Sequence, residues 1–409
     1  LFVACVVLLA APETARGASG FNNGTLITED VSATKAVYAA DMDGDGDLDI
    51  LSASFTDNRI AWYQNLDGLG TFGPQTRISS TTNGARSVSA ADLDGDGDLD
   101  VLACSFDDDQ VIWFENMDGN GTFSTPINIT DNVWYVEWTL AADIDGDDDL
   151  DVVAASMGDR QAVWFENDGV GNFAFFGAIN TADLHGLEMV SVADIDDDGD
   201  LDVLSASGTD DRIVWFANDG SGTFAEGIDI SAGADGANFV TAADLDGDDD
   251  LDVVSSSGID NRIVWYENLD SLGTFGPGVE ISADLVRPIS VVAADLDEDG
   301  DFDLVVASSL DDRVVWFENE DGKGTFSGVK EVVADINDVR HVIAADLDGD
   351  GDLDLVAGAL TEVYWYENGA VNTTAGDVVP SDDDDLVGSA PGSTPSPAAP
   401  TSSATPTAD

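Results

Sequence analysis

Short apolar runs rich in β-branched and aromatic residues alternate with polar turns along most of the chain. In one typical stretch, apolar runs at residues 87–91, 101–105, 111–115 and 123–129 are separated by acidic or glycine-containing turns. Four such runs with turn residues between them predict one four-stranded antiparallel sheet. Because the 3.6-residue period of an amphipathic helix is absent throughout, the pattern predicts an all-β protein.

The same pattern recurs seven times with a nearly constant period. Each unit contains an acidic cluster of the type DLDGDGDLD, and successive clusters start 51 residues apart, or 50 between the fourth and the fifth. They start at Asp41, Asp92, Asp143, Asp194, Asp244, Asp295 and Asp346. A second motif, Trp-aromatic-x-Asn, keeps step and starts at Trp62, Trp113, Trp164, Trp215, Trp265, Trp316 and Trp365. A fixed period of this length indicates a repeat architecture.

Seven four-stranded units predict a seven-bladed β-propeller, in which the sheets pack radially around an axis. The residues before each cluster are small, as at Ala90 and Ala91, which suits a crowded axis. The repeated aromatic residues would lie further out and fill the gaps between blades. A β-solenoid is the alternative, since period and strand content alone also allow it.

The two ends of the repeat region favour a closed ring. The last unit stops after its third strand, at Asn368, and lacks a fourth. Phe21 precedes Asp41 by 20 residues, as Phe123 precedes Asp143. Residues 20–28 are therefore predicted to supply the missing strand of the seventh blade.

The acidic clusters have the composition of calcium-binding loops. Counted from the first Asp, positions 1, 3, 5, 7 and 9 are Asp in every copy, and position 8 is apolar. Side chains at positions 1, 3, 5 and 9, with the main-chain carbonyl of position 7, suit Ca²⁺, which takes six to eight oxygen ligands. The cation would cancel the repulsion among the carboxylates. We expect up to seven Ca²⁺, one per loop, at Asp41, Asp43, Asp45, Asp47 and Asp49; Asp92, Asp94, Asp96, Asp98 and Asp100; Asp143, Asp145, Asp147, Asp149 and Asp151; Asp194, Asp196, Asp198, Asp200 and Asp202; Asp244, Asp246, Asp248, Asp250 and Asp252; Asp295, Asp297, Asp299, Asp301 and Asp303; and Asp346, Asp348, Asp350, Asp352 and Asp354.

Other interpretations of the loop fit less well. An EF-hand needs an acid at position 12 and flanking helices, whereas position 12 is Ala103 in the second copy and never acidic in the others. Mg²⁺ prefers a stricter octahedral geometry with retained water, and a solvated acidic turn without metal is the remaining alternative. Glycine at position 6 permits a left-handed turn, and its replacement by Asp148 and Asp249 predicts weaker sites in the third and fifth units.

The loop pattern DxDxDGxxD within units of about 50 residues resembles the FG-GAP repeat of integrin α-subunits and the related VCBS-type repeats of secreted proteins. The resemblance covers residues 20–368. It implies calcium loops between the first and second strands on one face of the propeller, and ligand binding on the opposite face. It does not fix the function, since the family includes adhesion receptors, lectins and domains attached to enzymes.

Residues that do not repeat are the better candidates for ligand binding. Trp134, Tyr135 and Trp138 lie in one segment, DNVWYVEW, which we interpret as a loop before the third cluster. They would form a sugar-stacking or protein-binding patch, or else fill the mouth of the central channel. His185 and His341 fall in equivalent loops, and two lone histidines do not make a catalytic constellation.

Four basic residues begin inner strands. They would ring the channel entrance and attract an acidic ligand, or pair with neighbouring acids. They are Lys35, Arg86, Arg287 and Arg340.

The net charge of -70, from 83 acidic and 13 basic residues, argues against binding to nucleic acid or to anionic membranes. Residues 1–11 resemble the apolar region of a signal peptide, predicted to span residues 1–19, so we expect a secreted or cell-surface protein. Residues 369–409 are rich in Ser, Thr, Pro and Ala and predict a disordered tail. Sequons predict glycosylation at Asn23, Asn120, Asn128 and Asn372.

These observations favour a secreted, monomeric, calcium-binding propeller that recognises an extracellular glycan or protein without catalysis, and whose mature form does not insert into a membrane. One alternative is the scaffold of a polysaccharide lyase or hydrolase, although no Ser/His/Asp order, zinc motif or phosphate loop supports an enzyme. The other is a structural protein of a cell wall or matrix.

Overall fold

Each sequence repeat folds into one four-stranded antiparallel sheet. The computed structural model describes residues 20–179 and 184–369, in which seven such sheets form a propeller and no helix occurs. In chain order the strands are β1 Thr25–Thr28, β2 Thr34–Ala40, β3 Asp49–Ser54, β4 Arg59–Tyr63, β5 Thr76–Ser79, β6 Ala85–Ala91, β7 Asp100–Ser105, β8 Gln110–Phe114, β9 Ile127–Thr130, β10 Val136–Ala142, β11 Asp151–Ser156, β12 Gln161–Asn167, β13 Phe173–Ala178, β14 Leu187–Ala193, β15 Asp202–Ser207, β16 Arg212–Phe216, β17 Ile228–Ser231, β18 Ala237–Ala243, β19 Asp252–Ser257, β20 Arg262–Tyr266, β21 Val279–Ser282, β22 Pro288–Ala294, β23 Asp303–Ser308, β24 Arg313–Phe317, β25 Lys330–Ala334, β26 His341–Ala345, β27 Asp354–Gly358 and β28 Val363–Tyr366.

The blades follow one another along the chain. Blade 1 consists of β2–β5, blade 2 of β6–β9, blade 3 of β10–β13, blade 4 of β14–β17, blade 5 of β18–β21, blade 6 of β22–β25, and blade 7 of β26–β28 with β1. The first strand of every blade contacts the first strands of both neighbours, and β26 contacts β2, so the ring is closed around these strands. The predicted seven-bladed propeller is confirmed, and an open solenoid is excluded.

The N-terminal strand closes the ring, as the offset of Phe21 predicted. Strand β1 pairs antiparallel with β28, with Thr25 opposite Trp365. Phe21 forms an isolated bridge with Asn368, as Phe123 does with Asn116 in blade 2. The seventh blade is therefore built from both ends of the repeat region.

Burial is greatest in the middle of each blade. Every residue of the second strands is buried, whereas fourth strands such as β5 and β9 are partly exposed. The repeated tryptophans pack between blades, and Trp62 meets Phe123 of the next blade edge to face at 6.1 Å. A Cβ atom on Gly121 would lie 2.3 Å from a carbon of the Trp62 ring, so the tight packing at this turn requires glycine. The interpretation of these tryptophans as packing residues is confirmed.

Antiparallel connections alternate between the two faces of the ring. The acidic loops join first and second strands, and they share one face, called here the acidic face, with the turns between third and fourth strands. The other connections lie on the opposite face. No helix among the described residues is long and apolar enough to cross a bilayer. The predicted signal peptide, the sequon at Asn372 and nearly all of the predicted tail lie outside the described residues.

Candidate functional site

Carboxylates at positions 1, 3 and 5 converge in the acidic loops. In blade 2, each of Asp92, Asp94 and Asp96 offers an oxygen within 4.8 Å of the others, and the same positions converge in blades 1, 3, 4 and 5. Hydrogen bonds hold this curl, because Asp92 Oδ1 accepts the N–H of Gly95 at 2.8 Å and Asp92 Oδ2 accepts that of Gly97 at 3.1 Å. The loop is thus folded around one point between three acidic side chains.

Two positions of the loop adopt left-handed backbone conformations. The sequence predicted this at position 6, where Gly97 has φ 97°, but not at position 4, where Gly95 has φ 74°. Glycine at both positions in the first, second and seventh copies was the available signal. The remaining copies each place one acid in the left-handed region, namely Asp148, Asp197, Asp249 and Glu298. Such a conformation costs roughly 1–2 kcal/mol for a residue with a Cβ, so the weaker sites predicted for blades 3 and 5 are now expected in blades 4 and 6 as well.

The position-3 carboxylates have an oxygen that the protein does not satisfy. Within the described part of the chain, Oδ1 is buried without a hydrogen-bond partner in Asp43, Asp145, Asp196, Asp246 and Asp297. Burial and then the neighbouring carboxylate of Asp45 raise the pKa of Asp43. A buried carboxylate oxygen without a partner is costly, and a cation between positions 1, 3 and 5 would satisfy it. The residues therefore fit a bound divalent cation.

Positions 7 and 9 lie differently from the other three. Asp100, at position 9, is buried; its Oδ2 accepts the N–H of Leu93 at 3.1 Å and its Oδ1 that of Asn116 at 2.8 Å. Burial raises the pKa of Asp100 to about 7. The side chain of Asp98, at position 7, lies against Gly119 in the turn between the third and fourth strands. The convergent group therefore consists of positions 1, 3 and 5, while the position-9 side chain is engaged by the main chain.

The repeated asparagines connect each blade to the acidic loop of the preceding blade, a role that the sequence analysis missed. The Nδ2 of Asn116 donates to Leu99 O at 3.2 Å in its own loop and to Met42 O at 2.9 Å in the loop of blade 1. Equivalent bonds to the preceding loop are made by Asn65, Asn167, Asn218, Asn268, Asn319 and Asn368. The presence of this Asn in all seven motifs was the signal that could have revealed it. The acidic loops are thereby joined in a closed series.

Replacing one of these asparagines is expected to destabilise the protein more than replacing a surface asparagine. Asn167→Ala removes two bonds of 2.9 Å each, a buried one to Leu93 O and a partly buried one to Leu150 O. We expect a loss of about 2–4 kcal/mol in the free energy of unfolding, measured by urea denaturation. Asn172→Ala in the following turn, where the side chain is exposed, is the control. Equal losses in both variants would contradict this role.

The aromatic residues predicted to share one loop are divided between two places. Trp134 and Tyr135 lie on the face opposite the acidic loops and are 59% and 47% exposed. Trp138 belongs to strand β10, so its assignment to the loop was wrong. Its ring centroid lies 5.9 Å from Phe239 and 5.4 Å from His341 inside the central channel. Strand β10 begins at Val136. Trp134 and Tyr135 precede the strand and are exposed, whereas Trp138 lies within the strand and its side chain fills the channel.

The two histidines do not share a site. His341 is 6% exposed, and burial lowers its pKa to about 4, so it is neutral at pH 7. Its Nδ1 accepts the N–H of Val37 at 3.4 Å. His185 Nδ1 lies 3.2 Å from Asp210 Oδ2 in blade 4, and His185 does not line the mouth of the channel. The five predicted ligand-binding residues therefore form an exposed pair, a pair in the channel and a separate histidine.

The mouth of the central channel on the opposite face forms a cavity of about 120 Å³. Six charged residues line it, and this set is called here the channel mouth: Lys35, Arg86, Glu137, Glu188, Arg287 and Arg340. The prediction that the four basic residues surround the channel entrance is confirmed. Arg86 also forms an ion pair with Glu137 at 2.5 Å, as the alternative of pairing with acids predicted.

The fold and the repeated acidic loops define a seven-bladed propeller with one candidate cation site per loop. The chain belongs to the FG-GAP-like repeat family, which matches residues 41–103, 97–154, 143–205, 194–255, 250–306 and 295–357. The resemblance inferred from the DxDxDGxxD loops is thus confirmed. No match to the chain was found among curated proteins.

Solved structures with the same fold have diverse descriptions. A lectin of Agrocybe aegerita, described as specifically recognising non-reducing terminal N-acetylglucosamine, is 21% identical with a TM-score of 0.55, over 81% of this chain and 87% of the lectin. BBS1N, crystallised in complex with ARL6DN, is 12% identical with a TM-score of 0.58, over 88% and 99% of the two chains. Virginiamycin B lyase from Staphylococcus aureus is 10% identical with a TM-score of 0.55, over 85% and 99%. At these identities the likeness concerns the fold.

Proposed function

We propose that this chain is an extracellular, calcium-stabilised propeller that recognises a glycan on the face opposite its acidic loops, without catalysing a reaction. The observation that carries the recognition role is the exposed aromatic pair Trp134 and Tyr135, which no other blade reproduces. Exposed aromatic groups of this kind mark interaction surfaces. The extracellular setting follows from the predicted signal peptide.

Calcium is proposed as the resident ion of the acidic loops. Asp41, Asp43 and Asp45, and their equivalents in the other blades, would hold it, with the main-chain carbonyl of position 7 as a further oxygen ligand. The bound ion would supply positive charge that fixes the hairpin. Elemental analysis of purified protein after dialysis against trace CaCl₂ tests this proposal, and we expect several and up to seven Ca²⁺ per chain. A calcium content below one per chain would refute it.

Tyr135 occupies a left-handed backbone position that recurs in every blade. Its φ is 53°, in the left-handed region, and the equivalent residues of the other blades are left-handed as well: Gly84, Gly186 and Gly236, and the non-glycine residues Ala33, Arg287 and Asp338. For a bulky side chain this conformation costs roughly 1–2 kcal/mol. Because the position is left-handed in every blade, the repeat imposes this conformation, and the recognition role rests on the exposure of the two rings.

The contacts of Tyr135 hold its ring on the surface. The ring lies 4.9 Å from that of Phe106, inclined by 31°, and the guanidinium of Arg86 lies 4.5 Å from the Phe106 ring. The main-chain N–H groups of Trp134 and Tyr135 donate to Asp159 and Asp109, at 2.8 Å each. An exposed ring in a fixed orientation offers an apolar surface for the C–H face of a sugar at little entropic cost. The lectin from Agrocybe aegerita is consistent with a glycan as the ligand class.

No observation favours the enzymatic alternative. A lyase would need a base beside bound substrate, but His341 is buried in the channel and His185 is held beside Asp210 in another part of the ring. The carboxylates of the acidic loops lie on the face remote from the aromatic pair. A protein ligand is the alternative for the same surface, and a glycan array distinguishes the two.

Substitutions at Tyr135 and Trp134 test glycan recognition. On a glycan array we expect the unmodified protein to bind, and Trp134→Ala and Tyr135→Gly each to lose at least tenfold in affinity. Phe175→Ala, which removes a 61% exposed ring from outer strand β13, should bind normally. Absence of binding to every glycan, or binding unaffected by both substitutions, would refute the proposal.

Strain at Tyr135 is measured by a second comparison. Tyr135→Gly and Tyr135→Ala both lose the ring, but only alanine keeps a Cβ in the left-handed region. We expect the glycine variant to be more stable by about 1 kcal/mol in urea denaturation. A more stable alanine variant would show that the backbone relaxes at this position and that no strain is stored there.

A further inference from the structure

Cationic side chains gather at the channel mouth of an otherwise very acidic protein. Four of the 13 basic residues line this one cavity, although the chain has 83 acids. The residues six positions before each cluster lie on the first strands or, in blade 7, directly before it; they are Lys35, Arg86, Glu137, Glu188, Asn238, Ile289 and Arg340. Residues at this position differ from blade to blade, so the propeller scaffold does not dictate them.

Two of the four cations are not neutralised by an ion pair. Arg86 pairs with Glu137 at 2.5 Å, and Arg340 pairs with Asp338 at 2.6 Å. Lys35 Nζ lies 5.4 Å from the Phe55 ring. Within residues 20–179 and 184–369, neither Lys35 nor Arg287 has a carboxylate oxygen at ion-pair distance. The ammonium group of Lys35 and the guanidinium group of Arg287 are therefore available to a ligand.

The floor of the cavity is apolar and aromatic. Trp138, Met189, Phe239 and His341 directly follow Glu137, Glu188, Asn238 and Arg340, and they line the same cavity. Trp138 and Phe239 meet edge to face at 5.9 Å, and His341 is neutral because it is buried. A cavity of about 120 Å³ holds several water molecules and admits part of a small organic ligand.

We propose that the channel mouth binds the carboxylate of an acidic sugar, with Lys35, Arg287 and Arg340 facing the carboxylate and the Trp138–Phe239 floor facing the sugar ring. Guanidinium groups match carboxylates in planar geometry, and such charge-assisted bonds are the stronger class of hydrogen bond. The assignment of the ligand as a sugar rests on the glycan recognition proposed above. The assignment of an anion site rests only on the cluster of cationic side chains.

The aromatic pair and the channel mouth are continuous. Tyr135 contacts Phe106, and Arg86 lies both over the Phe106 ring and at the channel mouth. A short oligosaccharide could therefore place one unit against Tyr135 and its acidic unit in the cavity. The overall negative charge of the protein repels a long polyanion. At physiological salt, however, charges more than about 8 Å away are largely screened, so the binding of a short ligand depends mainly on the cations at the channel mouth.

The test uses two ligands that differ only in the carboxylate. Methyl β-D-glucuronide and methyl β-D-glucoside are titrated calorimetrically into the full chain, in saturating CaCl₂ at pH 6.5. We expect one glucuronide per chain and an affinity at least tenfold higher than for the glucoside. Sodium acetate in the same buffer should bind more weakly than the glucuronide, because it lacks a ring for the aromatic floor.

Variants locate the site. Arg287→Gln combined with Arg340→Gln should weaken glucuronide binding at least tenfold, whereas Arg262→Gln should not change it. Arg262 is the matched control, since it lies on the outer part of blade 5 and pairs with Glu280. Melting curves confirm that each variant is folded. Absence of glucuronide binding, equal binding of the glucoside or of acetate, or an unchanged affinity in the double variant would overturn the proposal.

The pH dependence gives an independent readout. Burial, and then Arg86 and Arg340, lower the pKa of Lys35 to about 7, while Glu137 and Asp338 oppose this shift. Burial also raises the pKa of Glu137 and Glu188, which face these cations. As pH rises from 6 to 8, Lys35 loses positive charge and Glu137, whose pKa is raised to about 8, loses its proton, so glucuronide affinity should fall several-fold. Lys35→Arg should reduce this fall, and an affinity that rises with pH would contradict the arrangement.

The two proposals fail separately. Binding of a neutral glycan that depends on Trp134, without glucuronide binding, would refute the acidic-sugar site and leave glycan recognition intact. Conversely, glucuronide binding could depend on Arg287 while no glycan on the array shows binding that changes when Tyr135 is substituted. That result would support the anion site and refute the aromatic recognition surface.

Discussion

Chelation of divalent cations with EDTA is expected to lower the melting temperature of this protein by roughly 10 °C or more, because ligands that bind only the folded state stabilise it by mass action. Each loop saturated at 100 times its Kd would add about 2.7 kcal/mol, and several loops act together. The buried position-3 oxygens without a hydrogen-bond partner, such as Asp43 Oδ1, are the groups that a bound cation would satisfy. Differential scanning calorimetry in CaCl₂ and in EDTA measures the shift, and re-addition of CaCl₂ should reverse it.

Neutralising a single carboxylate of the loop should affect the melting temperature differently in CaCl₂ and in EDTA. Asp43→Asn would remove one of the charges proposed to hold the cation and should lower the melting temperature in CaCl₂. In EDTA the same change removes repulsion with Asp41 and Asp45, so the variant should melt no lower than the unmodified chain. Asp67→Asn, an exposed acid in the turn between β4 and β5, is the control and should shift neither value. If the unmodified chain melts at the same temperature in EDTA and in CaCl₂, metal-stabilised loops are excluded.

Removal of the closing strand is expected to have a comparably large effect. A chain that begins at Asp30 lacks β1, so β28 becomes an unpaired edge and the seventh blade has three strands. We expect a melting temperature at least 10 °C below that of a chain beginning at Gly20, since the closing contacts around Trp365 and Tyr366 are lost. An exposed edge also promotes association between copies, which sedimentation velocity would detect.

A peptide supplies the control for this deletion. Residues 20–29 added in trans should restore part of the lost stability, because the peptide can pair with β28 as β1 does. A scrambled peptide of the same composition should not. If the shortened chain melts at the same temperature as the longer one, closure by β1 contributes little to stability.

The period and the hydrophobic pattern predicted the fold in detail, because each blade repeats the same burial requirements. Even the closing strand followed from the position of Phe21 relative to Asp41. The acidic loops were less fully predicted, since five aspartates of identical chemistry alternate along one loop. Asp100 is distinguished from Asp92, Asp94 and Asp96 only by its environment in the fold. It pairs with Ala91 at the base of the hairpin and accepts hydrogen bonds from the main-chain N–H groups of Leu93 and Asn116.

The opposite face shows a different limit of sequence reasoning. Trp134 and Trp138 are four residues apart and of the same type, yet one is exposed and the other fills the channel. The difference depends on where β10 begins, and strand boundaries are the least certain part of such predictions. The left-handed conformation of Tyr135 depends on the connection into β10, and the same position is left-handed in the other blades, where it is glycine in three of them and Ala33, Arg287 or Asp338 in the rest.

The asparagine bonds between blades have a consequence for how the loops fill. Each loop supplies the carbonyl that anchors the next blade, so an ion that orders one loop also orders the acceptor of its neighbour's asparagine. If these loops bind calcium as proposed, occupancy at one position would favour occupancy at the next, and the binding isotherm would be steeper than that of seven independent sites. Calcium would enter this ring as a concerted step rather than ion by ion.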